Sequence, residues 1–145
     1  MTAIVLALWV GCSGGTADTF FVDTDPDAKP DQDGPKIRHS PSDEPVVIGQ
    51  DVLVEAAAKD DSGVFSMELH YRRETSVEWV VVGMTRVGDT LDDAALYQGT
   101  IRGRDISSGG MYYFLSSVDN SEYQNESFLP AQGDNDPWRF PVTPN

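Results

Sequence analysis

Cysteine and histidine are scarce in this chain of 145 residues. A single cysteine cannot form an intramolecular disulfide, so no disulfide framework stabilises the fold. The two histidines are accompanied by none of the common catalytic signatures, neither G-x-S-x-G nor H-E-x-x-H nor a phosphate-cradling glycine loop. We therefore expect no enzymatic activity.

Basic residues are scarce as well. Ten Lys and Arg residues stand against 24 Asp and Glu, which gives a formal net charge of −14. Nucleic acids and anionic lipid surfaces are both bound through clusters of Lys and Arg, so this balance argues against either as a partner. Solubility of an exported protein explains the acidity most simply, while cations and basic partners stay open.

The N-terminal apolar run, residues 3–11, is far shorter than the roughly 20 residues that a membrane-spanning helix needs. It has the length of the apolar part of a signal peptide, and it ends at Gly11 directly before Cys12. This arrangement resembles the lipobox of bacterial lipoproteins. The resemblance implies a signal segment over residues 1–11, lipidation of Cys12, and a membrane anchor in the bacterial cell envelope, at the outer membrane or surface. An ordinary secretory signal is the alternative.

Residues 12–34 are predicted to comprise the lipidated Cys12 and a flexible acidic linker. They contain Gly and Pro together with repeated Asp, and such a segment cannot bury enough apolar surface to offset its ordering entropy. From residue 35 the sequence pattern changes to short alternating runs, and residues 35–145 are predicted to form one domain.

Short runs of alternating apolar and polar residues dominate this domain, and a period of two is typical of half-buried strands. The clearest runs cover residues 51–59, 66–72, 97–101 and 111–118. About seven strands at this spacing, with no sustained helical period, predict an all-β antiparallel sandwich. Trp79, Tyr71, Tyr97, Tyr113 and Trp138 are expected in its core.

Two details of the strands are also predicted. Trp79 and Met84 differ in parity, so both can point inward only if the chain bends or bulges, for which Gly83 is suited. Ile106, in the loop before residues 111–118, is expected to plug the core.

Several short motifs in this order resemble immunoglobulin-like and fibronectin type III-like modules of exported bacterial proteins. The matching motifs are Gly34-Pro35-Lys36-Ile37, Asp60-Asp61-Ser62-Gly63-Val64, Leu69-His70-Tyr71-Arg72, Trp79…Met84, Tyr97-Gln98-Gly99-Thr100-Ile101, Gly110-Met111-Tyr112-Tyr113-Phe114, Asp119-Asn120 and Pro137-Trp138-Arg139-Phe140. The resemblance implies a non-enzymatic spacer, adhesion or recognition unit. It also implies a tyrosine corner in which the Tyr113 hydroxyl bonds to the loop before its strand.

The loops at one end of such a sandwich predict a candidate metal site. Asp60, Asp61, Asp119 and Asn120 could converge there, and their hard oxygen atoms suit Ca²⁺. The alternative is that these side chains cap turns through local hydrogen bonds, with no cofactor at all.

The sequence therefore predicts a monomeric cell-envelope lipoprotein that presents an interaction or structural module. A protein or a cell-surface glycan is the expected kind of partner. The alternatives are a calcium-stabilised adhesion module and a carbohydrate-binding accessory module that uses Tyr112, Phe114 and Tyr123. His70 shares its face with Glu68 and Arg72, so a solvated or ion-paired side chain is expected there.

Overall fold

The structure, a computed structural model, describes residues 30–144. The predicted signal segment, Cys12 and most of the predicted linker lie outside the described residues. Within them, no helix is both long enough and apolar enough to cross a membrane.

Eleven strands form the described part of the chain. They are β1 (Lys36–Arg38), β2 (Val46–Val47), β3 (Val52–Lys59), β4 (Val64–Arg73), β5 (Val80–Gly83), β6 (Thr85–Asp89), β7 (Ala95–Ile101), β8 (Met111–Asp119), β9 (Glu126–Leu129), β10 (Trp138–Phe140) and β11 (Val142–Thr143).

The strands form two antiparallel sheets. One sheet has the order β1-β3-β7-β6, and the other has the order β10-β8-β4-β5 with β9 also paired to β8. The short strands β2 and β11 form a separate parallel pair. The predicted all-β architecture is confirmed.

Alternation along the strands builds the core between the two sheets. Val54, Ala56 and Ala58 of β3 are buried, and they belong to one hydrophobic cluster with Met67, Leu69 and Tyr71 of β4. Glu55 and Lys59, on the opposite face of β3, are exposed. Ile106 is 4 % exposed and joins the same cluster, as predicted.

The number of strands exceeds the predicted seven for identifiable reasons. At Met84 the chain leaves β5 in one sheet and continues in the other as β6, which lies in residues not predicted as a strand. The predicted last strand, residues 139–142, is divided at Pro141 into β10 and β11, and β9, which pairs with β8 beside β10, is additional. The two-residue strand β2 is too short to produce a periodic signal.

The prediction that Trp79 lies in the core is wrong. The Trp79 ring packs on the outer face of the five-stranded sheet, where its centroid lies 4.8 Å from that of the Phe114 ring. The Arg72 guanidinium lies 4.9 Å from the centroid of the Trp79 ring. The bend after Gly83 turns Met84 inward, where it is 8 % exposed. Trp79 is not drawn inward with it, because Phe114 and Arg72 provide packing on the outside.

The prediction that Tyr113 forms the tyrosine corner is also wrong. The Tyr113 hydroxyl contacts Nε2 of His39 at 2.9 Å instead of the loop before β8. The Tyr71 hydroxyl donates to Asp105 in that loop at 2.8 Å, so a different tyrosine makes this connection. Burial and the hydrogen bond to Asp105 raise the pKa of Tyr71 to about 12, which keeps the phenol protonated as the donor.

Candidate functional site

One end of the sandwich gathers acidic residues from four separate stretches. Residues 30–35, 59–63, 89–94 and 119–126 meet there, because β1, β4 and β9 begin, and β3, β6 and β8 end, at this end of the sheets. These stretches contain ten acidic residues and one basic residue, a net charge of −9. We call this region the acidic end.

Asp119, the last residue of β8, is fully buried and organises the loop that follows it. Its Oδ1 accepts hydrogen bonds from the Ser121 N–H at 3.1 Å, the Ser121 hydroxyl at 2.9 Å and the Asn125 N–H at 2.9 Å. Its Oδ2 accepts from Nδ2 of Asn125 at 2.8 Å. Burial raises the pKa of Asp119, but these hydrogen bonds outweigh burial and the pKa falls below its ordinary value. The carboxylate is therefore ionised at neutral pH.

Asp60 performs a similar role in the loop between β3 and β4. Its Oδ1 accepts from the Ser62 N–H at 2.9 Å and from the Ser62 hydroxyl at 2.7 Å, which is the pattern of an Asx turn. The two loops are joined directly, since the backbone N–H of Asn120 donates to the Gly63 carbonyl at 2.9 Å.

Asp31 brings the end of the predicted linker into this site. Its backbone carbonyl accepts from Nδ2 of Asn125 at 3.0 Å. One carboxylate oxygen from each of Asp31, Asp60 and Asp119 lies within 4.8 Å of the other two. Gly34 continues the contact, because a Cβ there would lie 3.0 Å from the backbone of Glu126. Residues 31–34 thus lie against the sandwich.

Only two of the four predicted calcium ligands lie in this convergent group. Asp60 and Asp119 converge, whereas Asp61 is exposed and lies outside the convergent set. The side chain of Asn120 is exposed. Asp31 is not among the predicted ligands, because it lies among the aspartates of the predicted linker. Its spacing of five residues before β1, a strand that begins at the acidic end, was the available signal.

Three converging carboxylates supply oxygen ligands of the kind that a hard cation such as Ca²⁺ binds. Ca²⁺ takes six to eight oxygen ligands, so Asp31, Asp60 and Asp119 would supply part of the shell, and carbonyl groups or water would supply the rest. The same three carboxylates repel one another when no cation lies among them.

His70 lies on the outer face of the five-stranded sheet beside Ser116 and Glu68. Its Nε2 is 3.0 Å from the Ser116 hydroxyl and 3.4 Å from Glu68 Oε2. A nucleophilic triad needs serine and carboxylate on different ring nitrogens, whereas both approach the same nitrogen here. Ser116 is 2 % exposed, and the His70 ring stacks on Phe114 at 4.3 Å. This group is packed, and its geometry is not that of a catalytic triad. Burial, only partly offset by Glu68 and Glu126, lowers the pKa of His70.

His39 connects the two sheets. Its Nδ1 lies 2.6 Å from the Glu55 carbonyl oxygen, which can only accept, so Nδ1 carries a proton. In the neutral ring, Nε2 then accepts from the Tyr113 hydroxyl at 2.9 Å. Burial lowers the pKa of His39, while the hydrogen bond to Glu55 opposes this shift. Both ring nitrogens are thus used in structural hydrogen bonds.

The three aromatic residues considered for sugar binding do not form a row. Phe114 is 5 % exposed, and Tyr123 is 59 % exposed in the loop after β8. Tyr112 lies near the opposite end of β8, where its ring contacts the Arg72 guanidinium. A stacking platform needs its aromatic faces exposed side by side, and this arrangement does not provide that.

Comparison with known proteins adds no functional assignment, since no protein-family model matches this sequence. A search of curated proteins gives no match either.

Proposed function

We propose that this protein is a lipid-anchored, non-enzymatic component of the bacterial cell envelope that presents an immunoglobulin-like or fibronectin type III-like module to a protein or glycan. Cys12 carries the lipid, and residues between the anchor and the sandwich act as the tether. The membrane contact is made through the lipid.

The order of strands in the two sheets supports the immunoglobulin-like part of this proposal, and the apolar run before Cys12 supports the anchor. In an immunoglobulin constant-type sandwich, the strands have the order A-B-E-D in one sheet, and C, F and G form the other. Here β1-β3-β7-β6 corresponds to A-B-E-D, and β4, β8 and the two strands β9 and β10 beside β8 correspond to C, F and G. Modules of this architecture generally act as spacers or recognition units. The packed environments of His39 and His70 support a non-enzymatic role.

Metabolic labelling with a fatty-acid probe in a bacterial host tests the anchor. We expect label on the wild type and on the control Ser13→Ala, and none on Cys12→Ala, because only the thiol can form the thioether to the lipid. An unlabelled wild type contradicts the anchor and indicates a freely secreted protein.

A calcium-stabilised form of the module is a second candidate, favoured by the convergence of Asp31, Asp60 and Asp119 within 4.8 Å. Ligand that binds only the folded state at 100 times its Kd stabilises by about 2.7 kcal/mol. We therefore expect Ca²⁺ to raise the melting temperature of the wild type by about 5 °C or more relative to chelator.

The matched pair Asp60→Asn and Asp61→Asn makes this test specific. Asp60→Asn removes a converging charge and is expected to abolish most of the calcium response. Asp61→Asn removes an exposed charge from the same loop and is expected to retain it. Identical melts in calcium and chelator for the wild type would end the calcium hypothesis.

A further inference from the structure

One edge of β3 is paired over only part of its length. β1 pairs with residues 57–59 of β3 and then ends, whereas β7 pairs with the opposite edge over residues 52–58. Within residues 30–144, no strand pairs with the β1 side of residues 52–56. This open stretch of edge begins where the chain leaves the sheet after β1.

Register and one hydrogen bond identify the backbone groups that face this open edge. Successive residues of a strand direct their N–H and C=O groups to opposite edges. The Glu55 carbonyl accepts from Nδ1 of His39, the residue after β1, so the backbone groups of Glu55 face the β1 side. Those of Leu53, two residues away, face the same side. The N–H and C=O of Leu53 and the N–H of Glu55 are therefore available to one more strand.

A cavity of about 350 Å³ lies against this stretch of edge. All four residues 52–55 line it, although successive side chains of a strand point to opposite faces of the sheet. A cavity that touches all four therefore lies beside the edge of β3 and not on one face. Its other walls are formed by the segment after β1, which includes Glu44 and Val46, and by Tyr113 and Phe140 of the other sheet. The volume is within the range of ligand pockets.

The interior of this cavity is apolar beside the free backbone groups. Val54 is buried in the core cluster together with Tyr113 and Phe140, and the half-buried Val46 and Val52 pack against that cluster. In a strand added to this edge, side chains would alternate in the same way, and the residue opposite Val54 would point into the cavity. Backbone hydrogen bonds to a sheet edge give affinity for extended peptides, and pockets for alternate side chains give specificity. This edge offers both.

The charge around the cavity is of one sign. Two segments, residues 39–46 and 52–55, supply all of its lining except for two residues of the opposite sheet. These segments contain no Lys or Arg and three acidic residues, Asp43, Glu44 and Glu55. Arg38, directly before the first segment, is already paired with Asp92 at 2.8 Å. A basic ligand at this edge would therefore meet complementary charge.

We propose that the open edge of β3 is a strand-addition site for an extended, basic segment of a partner protein, with one large apolar side chain of that segment in the cavity. This inference rests on the proposed function and deepens it, because it identifies the partner of the module as a protein. An extended peptide supplies N–H and C=O groups at the spacing of those of Leu53 and Glu55, and a glycan does not.

Titration of the full chain with a synthetic peptide, followed by NMR of the backbone amides, tests this site. The probe is the acetylated and amidated heptapeptide Lys-Thr-Leu-Thr-Val-Thr-Lys. We expect the amide signals of Leu53 and Glu55 to shift and their hydrogen exchange to slow by about tenfold or more. The exchange of the Val54 amide, which faces β7, should stay unchanged. The same peptide with Glu in place of Lys should bind about fivefold or more weakly, because it repels the three carboxylates.

Leu53→Pro and Leu53→Ala are a matched pair of variants for the same titration. Leu53→Pro removes an outward N–H and no bond to β7, so the sandwich should keep its cooperative melt and bind the peptide about fivefold or more weakly. Leu53→Ala keeps this N–H and loses only an exposed side chain, so it should bind nearly as the wild type does.

The wild-type titration decides the outcome even if Leu53→Pro does not fold. Unshifted Leu53 and Glu55 signals at saturating solubility of the peptide would overturn the proposal, as would equal binding of the two peptides. Shifts produced there by soluble peptidoglycan fragments, and not by the peptide, would overturn it and identify a glycan as the partner. Labelling of Cys12 is independent of this titration, so a failure here leaves the anchor standing.

Discussion

The acidic end and the opposite end of the sandwich use side chains of opposite charge to hold their loops. The opposite end, formed by residues 48–51, 72–79, 102–110 and 139–144, contains five basic and four acidic residues, a net charge of +1. We call it the arginine end. Half of the ten Lys and Arg residues of the chain lie there, whereas the acidic end has a net charge of −9.

The hydrogen bonds that hold the loops at the two ends differ in the sequence distance they span and in their burial. At the acidic end, short carboxylates accept from groups in their own loop, two residues away for Asp60 and two or six residues away for Asp119, which is fully buried. At the arginine end, exposed guanidinium groups donate across the surface. Arg73 donates to the carbonyl groups of Asp105 at 2.8 Å and Arg104 at 3.2 Å. Loss of a buried acceptor leaves donors without partners, while exposed carbonyl groups can turn to water. The two ends should therefore tolerate substitution unequally.

The largest effect is expected for Asp119→Ala. It leaves the N–H groups of the half-buried residues Ser121 and Asn125 without their acceptor, so we expect the melting temperature to fall by about 10 °C or more. Asn120→Ala, one residue further on and exposed, should change it little. A melt of Asp119→Ala close to that of the wild type would show that this loop does not depend on the carboxylate.

A smaller effect is expected at the arginine end for Arg73→Ala. Its two hydrogen bonds to carbonyl groups are exposed, and water replaces them, so we expect a fall of about 4 °C. Arg104→Ala is the control with the same loss of charge from the same end. Thermal melts of the three proteins measure the difference, and equal effects of the two substitutions would show that charge, and not the bonds of Arg73, matters there.

The smallest effect is expected from pH, through His39, which lies between the two ends. Burial lowers its pKa in the folded state, so the unfolded chain binds the proton more tightly. The contribution of His39 to stability is complete above the ordinary histidine pKa of about 6.5, and it is lost as pH falls through the lowered value. His39→Gln should flatten the dependence of the unfolding free energy on pH between about 7 and 5 relative to the wild type. An unchanged slope would assign that dependence to other groups, beginning with His70, whose pKa is lowered as well.

Sequence reasoning succeeded where burial follows a simple period. Val54, Ala56 and Ala58 are buried because one face of β3 packs on the core, and the antiparallel sheets follow from such runs, although Ala57 on the opposite face is buried as well. It failed where a side chain had two suitable environments. Trp79 found Arg72 and Phe114 on the outer face, and neither contact is visible in a pattern of alternation.

The candidate site was predictable only in part for a related reason. Asp60 and Asp119 flank strands that meet at the same end, so their convergence follows from the fold class. Asp31 comes from a stretch whose composition is that of a linker, and its position depends on the contact between Asn125 and its backbone carbonyl. A contact between residues 94 positions apart leaves no local signal in the sequence.

The intact mass of the protein purified from a bacterial envelope tests the central claim, the lipid anchor of an envelope module, most directly. The account predicts a chain that begins at Cys12 and carries the added mass of a diacylglyceryl group. A chain that retains residues 1–11, or one that begins after Cys12 without lipid, would contradict it.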